Sequence, residues 1–382
     1  MCDKNKRSPN VGRSAIWTFN TPQDCSFVPT LAVTLWLGWH GVLIAMVLYA
    51  ILVAEMRANI MGVLTISAIL PPQFPFFGVG NEMIQKIRSW IAAETRKYFG
   101  LKVTIEDYDA LNAINNRDGP GKTAIFACEP HDILGYPVFL FNPSLNILPG
   151  RIGETVSILM TGAIFKLPIM KHIFTWLGGY SVDKKIFRDR LARNEACAFV
   201  PGGVQEVTLI DSKKPEEIVL YLKDRKGFVK LALERGVPIV PVFFFHMDGS
   251  YGYFVPKGRL VTKFGKSKLQ DYNDVSTNAI TRDSVVYRSP PSSHDFLSFI
   301  IARKIGFLPL FFYGRWKIPF GIPYPKKIHV VIGQPINVPC EGSDVCNESV
   351  DKYHKKFVNS LVELFENHKV SEGYGNRSLK IM

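Results

Sequence analysis

The chain has 382 residues, of which 47% are hydrophobic, and its 46 Lys and Arg against 33 Asp and Glu give a net charge of +13. Nucleic acid is one acidic partner for such a chain, but the sequence has no zinc-finger spacing, no helix-turn-helix pattern and no RNA-binding aromatic motif, so none is expected. An anionic membrane surface or a phosphate-bearing substrate fits the apolar content better. The alternative is that diffuse basic charge serves only solubility.

The six cysteines show neither C-x-x-C pairs nor the spacing of a disulfide framework. Cys128 and Cys197 lie in apolar runs, where a thiol usually behaves as a small buried hydrophobe. The sequence therefore predicts a reducing compartment around most of the chain, and it indicates no metal site.

The first predicted membrane segment follows a polar lead. Residues 1–29 are polar and basic and are predicted to form a disordered cytosolic N-terminus. Residues 30–54 contain no Asp, Glu, Lys or Arg before Glu55. At about 1.5 Å per residue they are long enough to cross a hydrocarbon core of about 30 Å. A cleaved signal peptide is the alternative, which the long basic lead and the lack of a small-residue cleavage site disfavour.

A second apolar run, residues 58–70, ends at Pro71-Pro72 and is short for a full crossing. We predict a membrane hairpin over residues 30–72 and leave open whether the second run spans the bilayer or is re-entrant. Basic residues on both sides of the hairpin favour cytosolic N- and C-termini, following the positive-inside tendency.

The remainder, residues 73–382, alternates helix-like and strand-like runs. Residues 81–99 predict an amphipathic helix, either lying at the membrane surface or packed on the domain. Strands are predicted at 123–128, 155–159, 196–200, 239–245 and 328–332, and helices at 163–177, 184–194, 223–235 and 349–368. This alternation predicts an α/β domain with a mixed or parallel sheet covered by helices.

Two stretches interrupt that alternation. Residues 250–294 are irregular and predict an inserted loop, which at this length is more often functional or mobile than structural. Its basic residues are Lys257, Arg259, Lys263, Lys266 and Lys268. Residues 296–313 are apolar around two central charges. They predict the wall of an apolar cavity or a segment dipping into one leaflet, with a buried core helix as the alternative.

The central candidate for chemistry follows the first of these strands, where the chain reads Glu129-Pro130-His131-Asp132. Pro130 fixes its own φ and pushes Glu129 toward an extended conformation, so the strand must end there. His131 is therefore expected at the carboxyl end of a strand, where open α/β sheets bind ligands. Imidazole suits proton transfer near neutral pH. The alternative is a turn histidine bonded to a neighbouring backbone group.

A second candidate is Pro201-Gly202-Gly203-Val204-Gln205-Glu206, which follows another apolar strand. Two glycines let the backbone approach a ligand closely and can aim N–H groups at an oxyanion or a phosphate. Glu206 could orient or acidify a partner histidine. The alternative is a tight turn in which the glutamate caps the following helix.

Basic residues mark two further candidates. Arg225-Lys226-Gly227-Phe228 opens a predicted helix, where positive charge opposes the helix dipole. This placement indicates an anionic ligand, or a salt bridge with Glu216 or Glu217. Tyr313-Gly314-Arg315-Trp316-Lys317 forms the other cluster. The sequence has no G-x-S-x-G, Walker loop or H-E-x-x-H motif. The remaining set suits acyl transfer to a hydroxyl in a membrane-associated cavity.

These motifs resemble the type-2 diacylglycerol acyltransferase family, which also contains monoacylglycerol and wax-alcohol acyltransferases. Glu129-Pro130-His131 resembles the family's His/Glu-Pro-His signature, and the segment from Leu148 to Asp183 looks like the family segment that follows. Three further motifs match in the same order, namely Pro201-Gly202-Gly203-x-x-Glu206, Arg225-x-Gly227-Phe228 and Val331-x-Gly333-x-Pro335-Ile336. The resemblance covers roughly residues 30–370.

The chain also departs from the family pattern. Asp132 stands where a small residue is usual after the histidine. His246-Met-Asp248-Gly249 stands where a Phe-Gly-x-Asn-type loop is typical, and Trp316-Lys317 replaces a glycine-bearing continuation after Arg315. The first two departures bear on acceptor choice more than on reaction type.

The resemblance implies a glycerolipid-acyltransferase-like fold and transfer of a fatty acyl group from acyl-CoA to diacylglycerol, forming triacylglycerol. It implies an endoplasmic reticulum membrane protein, with lipid droplets as a second location and no cofactor beyond the acyl-CoA co-substrate. Alternatives are transfer to monoacylglycerol or a long-chain alcohol, or a non-catalytic protein that binds lipid on droplets or membranes. Whether the chain forms a homo-oligomer is left open.

The expected roles follow from this reading. His131 would be the general base, and Glu206 or Asp132 would hold its tautomer as in a catalytic triad, with Glu129 beside them. Gly202 and Gly203 would offer N–H groups to the oxyanion. The remaining predicted substrate-binding residues are Pro130, Pro201, Arg225, Gly227, Phe228 and Arg315.

Overall fold

The computed structural model describes residues 16–72, 81–117, 122–209, 216–254, 285–287 and 311–382. In chain order its first elements are β1 (Trp17–Asn20), α1 (Phe27–Leu37), α2 (Trp39–Leu52), α3 (Ala54–Ile69), α4 (Glu82–Tyr98), β2 (Lys102–Ile105) and α5 (Tyr108–Ala113). They are followed by β3 (Ile125–Glu129), α6 (Gly150–Glu154), β4 (Ser157–Met160), α7 (Met170–Trp176), β5 (Gly179–Ser181), α8 (Lys184–Ala192) and β6 (Cys197–Phe199).

The second half of the chain continues with α9 (Val204–Leu209), β7 (Glu217–Leu220), α10 (Gly227–Arg235), β8 (Ile239–Phe245) and β9 (Gly252–Phe254). The remaining elements are β10 (Val285–Tyr287), β11 (Phe311–Tyr313), β12 (His329–Ile332), α11 (Asn347–Lys369) and β13 (Ser378–Ile381). Most of the predicted basic loop at 250–294 and of the apolar run at 296–313 lies outside the described residues.

The central feature is an eight-stranded sheet with the order β1-β2-β12-β8-β3-β6-β4-β5. The strands from β8 to β5 are parallel, whereas β12 is antiparallel to β8 and β1 is antiparallel to β2. Both faces are covered, because successive side chains of β3 alternate between two apolar clusters, with Phe126 in one and Ala127 in the other. The predicted α/β architecture with a mixed sheet covered by helices is confirmed.

Part of the N-terminal segment is ordered. Trp17–Asn20 pairs antiparallel with β2 at the edge of the main sheet. The prediction of disorder over residues 1–29 is therefore wrong for this strand, and residues 1–15 lie outside the described residues. The polar composition concealed a short edge strand, whose burial alternates between half-buried and exposed.

The first apolar run is not one straight helix. It breaks at Gly38 into α1 and α2, which are bent by 62° to each other. By length and composition no single helix among the described residues could cross a membrane, whereas this bent pair could. Helix α1 belongs to the domain, since Val33, Trp36 and Leu37 are buried in its main apolar cluster.

Helices α2 and α3 pack against each other and expose apolar side chains. Ile51, Leu52 and Ile69 are 62%, 80% and 76% exposed. At the turn between the helices, the Arg57 guanidinium donates to the backbone oxygens of Ala50 and Ile51 at 3.0 and 3.2 Å, which satisfies carbonyls at the end of α2. Apart from α1, the described part of the predicted hairpin is thus a pair of helices with an exposed apolar surface.

Candidate active site

The candidate active site lies where two neighbouring parallel strands end. Ala127 of β3 pairs with Phe199 of β6, so the turn after β3 and the loop after β6 leave the sheet side by side. The first contact between them is made by Glu129, whose Oε1 accepts a hydrogen bond from the Gly202 N–H at 2.8 Å. The sheet therefore brings together the two motifs that the sequence singled out.

Glu206 makes the second connection between the turn and the loop. Its Oε2 accepts from the His131 backbone N–H at 2.8 Å, and its Oε1 accepts from the Tyr221 N–H at 2.9 Å. The side chain is only 1% exposed. It lies directly on the Cα of Gly202, because any Cβ at that position would overlap the Glu206 carboxyl group. A side chain at position 202 would thus displace the Glu206 carboxyl group.

The two buried carboxyl groups share one environment. Burial and then the neighbouring Glu206 raise the pKa of Glu129 well above its ordinary value. Burial also raises the pKa of Glu206, to about 7, although its backbone N–H donors oppose the shift. Since Glu206 accepts two backbone N–H groups and Glu129 accepts one, the proton of the pair resides on Glu129 at neutral pH.

The His131 ring is oriented by the backbone. Its Nδ1 lies 2.8 Å from the Asp132 carbonyl oxygen, which can only accept, so Nδ1 carries the proton and Nε2 has a free lone pair. The ring edge lies against Gly135, where a Cβ would be 3.1 Å from Nε2. Burial lowers the pKa of His131, which keeps the imidazole neutral.

This geometry corrects two expected roles. Neither Glu206 nor the Asp132 carboxyl orients the imidazole, because the Asp132 carbonyl holds Nδ1 while Glu206 holds the backbone N–H. The Gly202 N–H is not an available oxyanion donor either, because it is bonded to Glu129. The bond to a neighbouring backbone group, which the alternative for His131 predicted, is present, and the ring still presents Nε2 as a general base would.

The basic motif after β7 supports the glycine loop. Arg225 Nη2 donates to the Gly202 carbonyl oxygen at 3.3 Å and to the Gln205 side-chain oxygen. Gly203 takes a positive φ of 61°, and Pro201 is buried beside it. Arg225 thus holds the loop from outside, and its positive charge lowers the pKa of both Glu129 and Glu206.

The other predicted binding residues have roles in the fold itself. Gly227 begins α10, and Phe228 is buried between Phe199 and Phe357 with ring centroids 5.4 and 5.1 Å away. Pro130 follows a cis peptide bond. Arg315 donates to Thr30 Oγ1 at 2.7 Å and to the Cys25 carbonyl oxygen at 3.3 Å, which ties the start of α1 to the domain.

Sequence reasoning missed a group of buried hydroxyls that begins one residue after Gly135, the neighbour of the His131 ring. Tyr136 directly follows Gly135 and donates to Ser250 Oγ at 2.9 Å. Tyr251 packs against Tyr136 with ring centroids 6.3 Å apart. The negative charge of Asp132 contributes to raising the pKa of both tyrosines, after the larger effect of burial. The available signal was a Ser-Tyr pair bordering an apolar strand, which by itself indicates no site.

Comparison with known proteins identifies relatives of this chain. A family model described as diacylglycerol acyltransferase matches residues 78–289 and 287–381. Diacylglycerol O-acyltransferase 2 of Dictyostelium discoideum is 30% identical over 274 residues, covering 69% of this chain and 72% of the relative. The protein of that name from Mus musculus is 26% identical over 307 residues, covering 77% and 67%.

Another relative carries a different name. Acyl-CoA wax alcohol acyltransferase 1 of Mus musculus is 26% identical over 280 residues, covering 71% of this chain and 74% of the relative. No solved structure matches the chain. The family model covers most of the α/β domain, including both motifs that meet at the ends of β3 and β6. As the sequence motifs predicted, the chain belongs to the diacylglycerol acyltransferase family.

Proposed function

We propose that the protein transfers a fatty acyl group from acyl-CoA to the free hydroxyl of diacylglycerol and so forms triacylglycerol. The observation that carries this proposal is the His131 ring, a neutral imidazole whose Nδ1 is bonded to the Asp132 carbonyl and whose Nε2 is left for a substrate proton. Relatives named as diacylglycerol acyltransferases support the choice of acceptor.

In the proposed reaction His131 Nε2 takes the proton of the acceptor hydroxyl as the oxygen attacks the thioester carbonyl carbon. The tetrahedral intermediate then collapses, the carbon–sulfur bond breaks, and CoA leaves as a thiolate that takes the proton back from the imidazolium. The Gly203 N–H is the backbone donor that we assign to the oxyanion, since the Gly202 N–H serves Glu129. No metal or cofactor enters the scheme.

The two glutamates are assigned positioning roles. Glu206 fixes the backbone at His131, and Glu129 fixes the backbone at Gly202. Together they fix the distance between His131 and the glycine loop. A site that must stabilise a developing charge needs such preorganisation. Arg225 supports the same loop from its outer side.

The apolar surface of α2 and α3 supports a membrane location. Large side chains such as Ile51, Leu52 and Ile69 are exposed along these helices, and burying them in lipid would contribute about 25 cal/mol per Å². We propose attachment to the endoplasmic reticulum membrane with both termini cytosolic, and a fold of the glycerolipid-acyltransferase kind. Lipid droplets are a second proposed location.

An acceptor panel tests this function. Membranes from cells expressing the chain are incubated with labelled acyl-CoA and, separately, diacylglycerol, monoacylglycerol or a long-chain alcohol. We expect labelled triacylglycerol as the main product, above the level in control membranes. The relative named as a wax alcohol acyltransferase favours the alcohol as a second candidate acceptor. A lack of labelled product with all three acceptors would favour the non-catalytic lipid-binding alternative.

A further inference from the structure

The backbone at Asp132 is unusual for a residue with a side chain. Its φ of 49° lies in the left-handed region, which is unfavourable for an L-residue and which glycine adopts freely. The position directly follows the proposed general base. Backbone strain of this kind persists only where the surrounding structure holds it, and it is concentrated at functional sites. We therefore expect the carboxyl group of Asp132 to have a function at this position.

The Asp132 side chain is buried without a complete set of partners. Its Oδ2 has no hydrogen-bond partner among the described residues. Burial raises the pKa of this carboxyl to about 7, so near neutral pH part of the population is protonated and can donate a hydrogen bond. Buried polar atoms are nearly always paired, and each exception calls for a partner such as a water or a ligand.

A second buried group in the same region is also unpaired. Tyr251 is 2% exposed, and its hydroxyl has no hydrogen-bond partner within the described part of the chain. Its ring is fixed by Tyr136 on one side and by Phe312 on another, with ring centroids 6.3 and 5.1 Å away. The hydroxyl is therefore held in place by packing, as a preorganised binding group would be.

Residues 135 and 136 connect these two groups to the proposed base. Gly135 borders the His131 ring, and Tyr136, the next residue, packs on Tyr251 and donates to Ser250. The negative charge of Asp132 also contributes to raising the pKa of both tyrosines, after the larger effect of burial. His131 and Tyr251 are thus linked through residues 135 and 136, because Gly135 borders the His131 ring and Tyr136 packs on Tyr251.

We propose that the Asp132 carboxyl and the Tyr251 hydroxyl bind the glycerol backbone of the acceptor and make the protein prefer an acylglycerol over a long-chain alcohol. This inference rests on the proposed function. An acylglycerol carries ester oxygens beside its reacting hydroxyl, and these can accept hydrogen bonds from the Tyr251 hydroxyl and from the protonated form of the Asp132 carboxyl. A long-chain alcohol has a single hydroxyl, which His131 takes, so it leaves both buried groups unpaired.

The size of the preference follows from the cost of unpaired groups. A buried donor or acceptor without a partner costs about 1–3 kcal/mol, which corresponds to about 5- to 150-fold in rate. We therefore expect each of the two groups to contribute about tenfold to discrimination between the acceptors, near the lower part of that range. The Asp132 carboxyl and the Tyr251 hydroxyl together would account for a marked preference for an acylglycerol over a long-chain alcohol.

The test compares acyl transfer to diacylglycerol and to hexadecanol in the same full-length preparations with the same labelled acyl-CoA. Asp132→Gly removes the carboxyl, keeps the backbone carbonyl that holds His131, and suits the positive φ. Tyr251→Phe removes only the hydroxyl. Each variant is expected to lower the ratio of diacylglycerol to hexadecanol acylation by about tenfold.

Two matched controls separate recognition from general effects. Asn146→Gly relieves another positive φ, of 50°, at an exposed turn. Tyr353→Phe removes a hydroxyl from a tyrosine packed on the other apolar cluster. Both should keep the wild-type ratio. A ratio within twofold of wild type for both site variants would overturn the inference while leaving the proposed function intact. A wild-type enzyme that acylates hexadecanol but not diacylglycerol would overturn both.

Discussion

The Glu206 carboxylate contacts the backbone of His131 and not its ring, because it accepts from the His131 N–H at 2.8 Å. The ring Nδ1 lies 2.8 Å from the Asp132 carbonyl oxygen. The arrangement differs from a triad, in which a carboxylate bonds the imidazole itself. Here the Asp132 carbonyl sets the tautomer of the ring, and Glu206 fixes the backbone of the turn at His131. Changes at Glu206 should therefore act on geometry before they act on proton transfer.

The first prediction compares Glu206→Gln with Glu129→Gln. Glu206 accepts two backbone N–H groups, and an amide can accept only through its single oxygen, so one N–H would face an N–H₂ group. Such a loss costs about 1–3 kcal/mol, and we expect acyl transfer to fall about 5- to 150-fold. Assays of acyl transfer at matched protein levels, with thermal unfolding in detergent, measure both effects.

Glu129→Gln should be milder, because Glu129 is the protonated member of the pair. The new amide can accept the Gly202 N–H and place an N–H group beside Glu206, as the acid does. We expect activity within a few-fold of wild type, whereas Glu129→Ala should lose most of it because the Gly202 N–H loses its acceptor. Equal losses for both Gln variants would contradict the assignment of the proton.

The second prediction concerns packing at Gly202. A Cβ there would overlap the Glu206 carboxyl group, so Gly202→Ala must move either the glutamate or the loop. Overpacking of this kind costs about 1–3 kcal/mol, and a displaced Glu206 would also release His131. Gly375→Ala is the matched control, because a Cβ there meets nothing within 4 Å. We expect acyl transfer to drop at least tenfold in the first variant only, in line with that cost.

Part of this site could be predicted from the sequence and part could not. Pro130 after an apolar run correctly predicted a strand end at Glu129, and the glycine pair predicted a tight loop ahead of Glu206. The pairing of β3 with β6 could not be predicted, because parallel partners far apart in sequence are chosen by the whole sheet. The roles of Asp132 and Glu206 depend on 2.8 Å contacts that spacing does not reveal.

The membrane segment shows a similar limit. Hydropathy identified residues 30–54 as apolar, but it does not distinguish side chains that pack on the domain from those that face outward. Trp36 and Leu37 of α1 are buried in the main cluster, whereas Ile51 and Leu52 of α2 are exposed. The helix break at Gly38 lies at the change from one environment to the other.

The third prediction concerns stability and pH at a buried cluster outside the site. His329 lies 2.9 Å from Thr104 Oγ1 and 2.9 Å from Glu372. Burial lowers the pKa of His329 from 6.5 to about 4. Between these pH values the unfolded chain binds a proton that the folded chain does not, so the free energy of unfolding should fall as pH decreases from 6.5 toward 4.

Thermal unfolding in detergent at several pH values checks this trend, with His329→Gln as the comparison. The glutamine variant has no titrating group at position 329, so it should start less stable at neutral pH and lose less stability on acidification. Glu372 remains in both proteins, and because folding lowers its pKa from 4.5 to about 2, its own effect on stability falls mainly below pH 4.5. An identical slope in the two proteins between pH 6.5 and pH 4 would contradict the role of His329.

The most direct test of the proposed mechanism is the rate of acyl transfer from acyl-CoA to diacylglycerol by His131→Ala. The variant keeps the backbone N–H that Glu206 holds, so it should fold, attach to membranes and accumulate like wild type. Loss of the general base should reduce triacylglycerol formation by about 10²- to 10⁴-fold. A rate equal to wild type at matched protein level would contradict the assignment of His131 as the base.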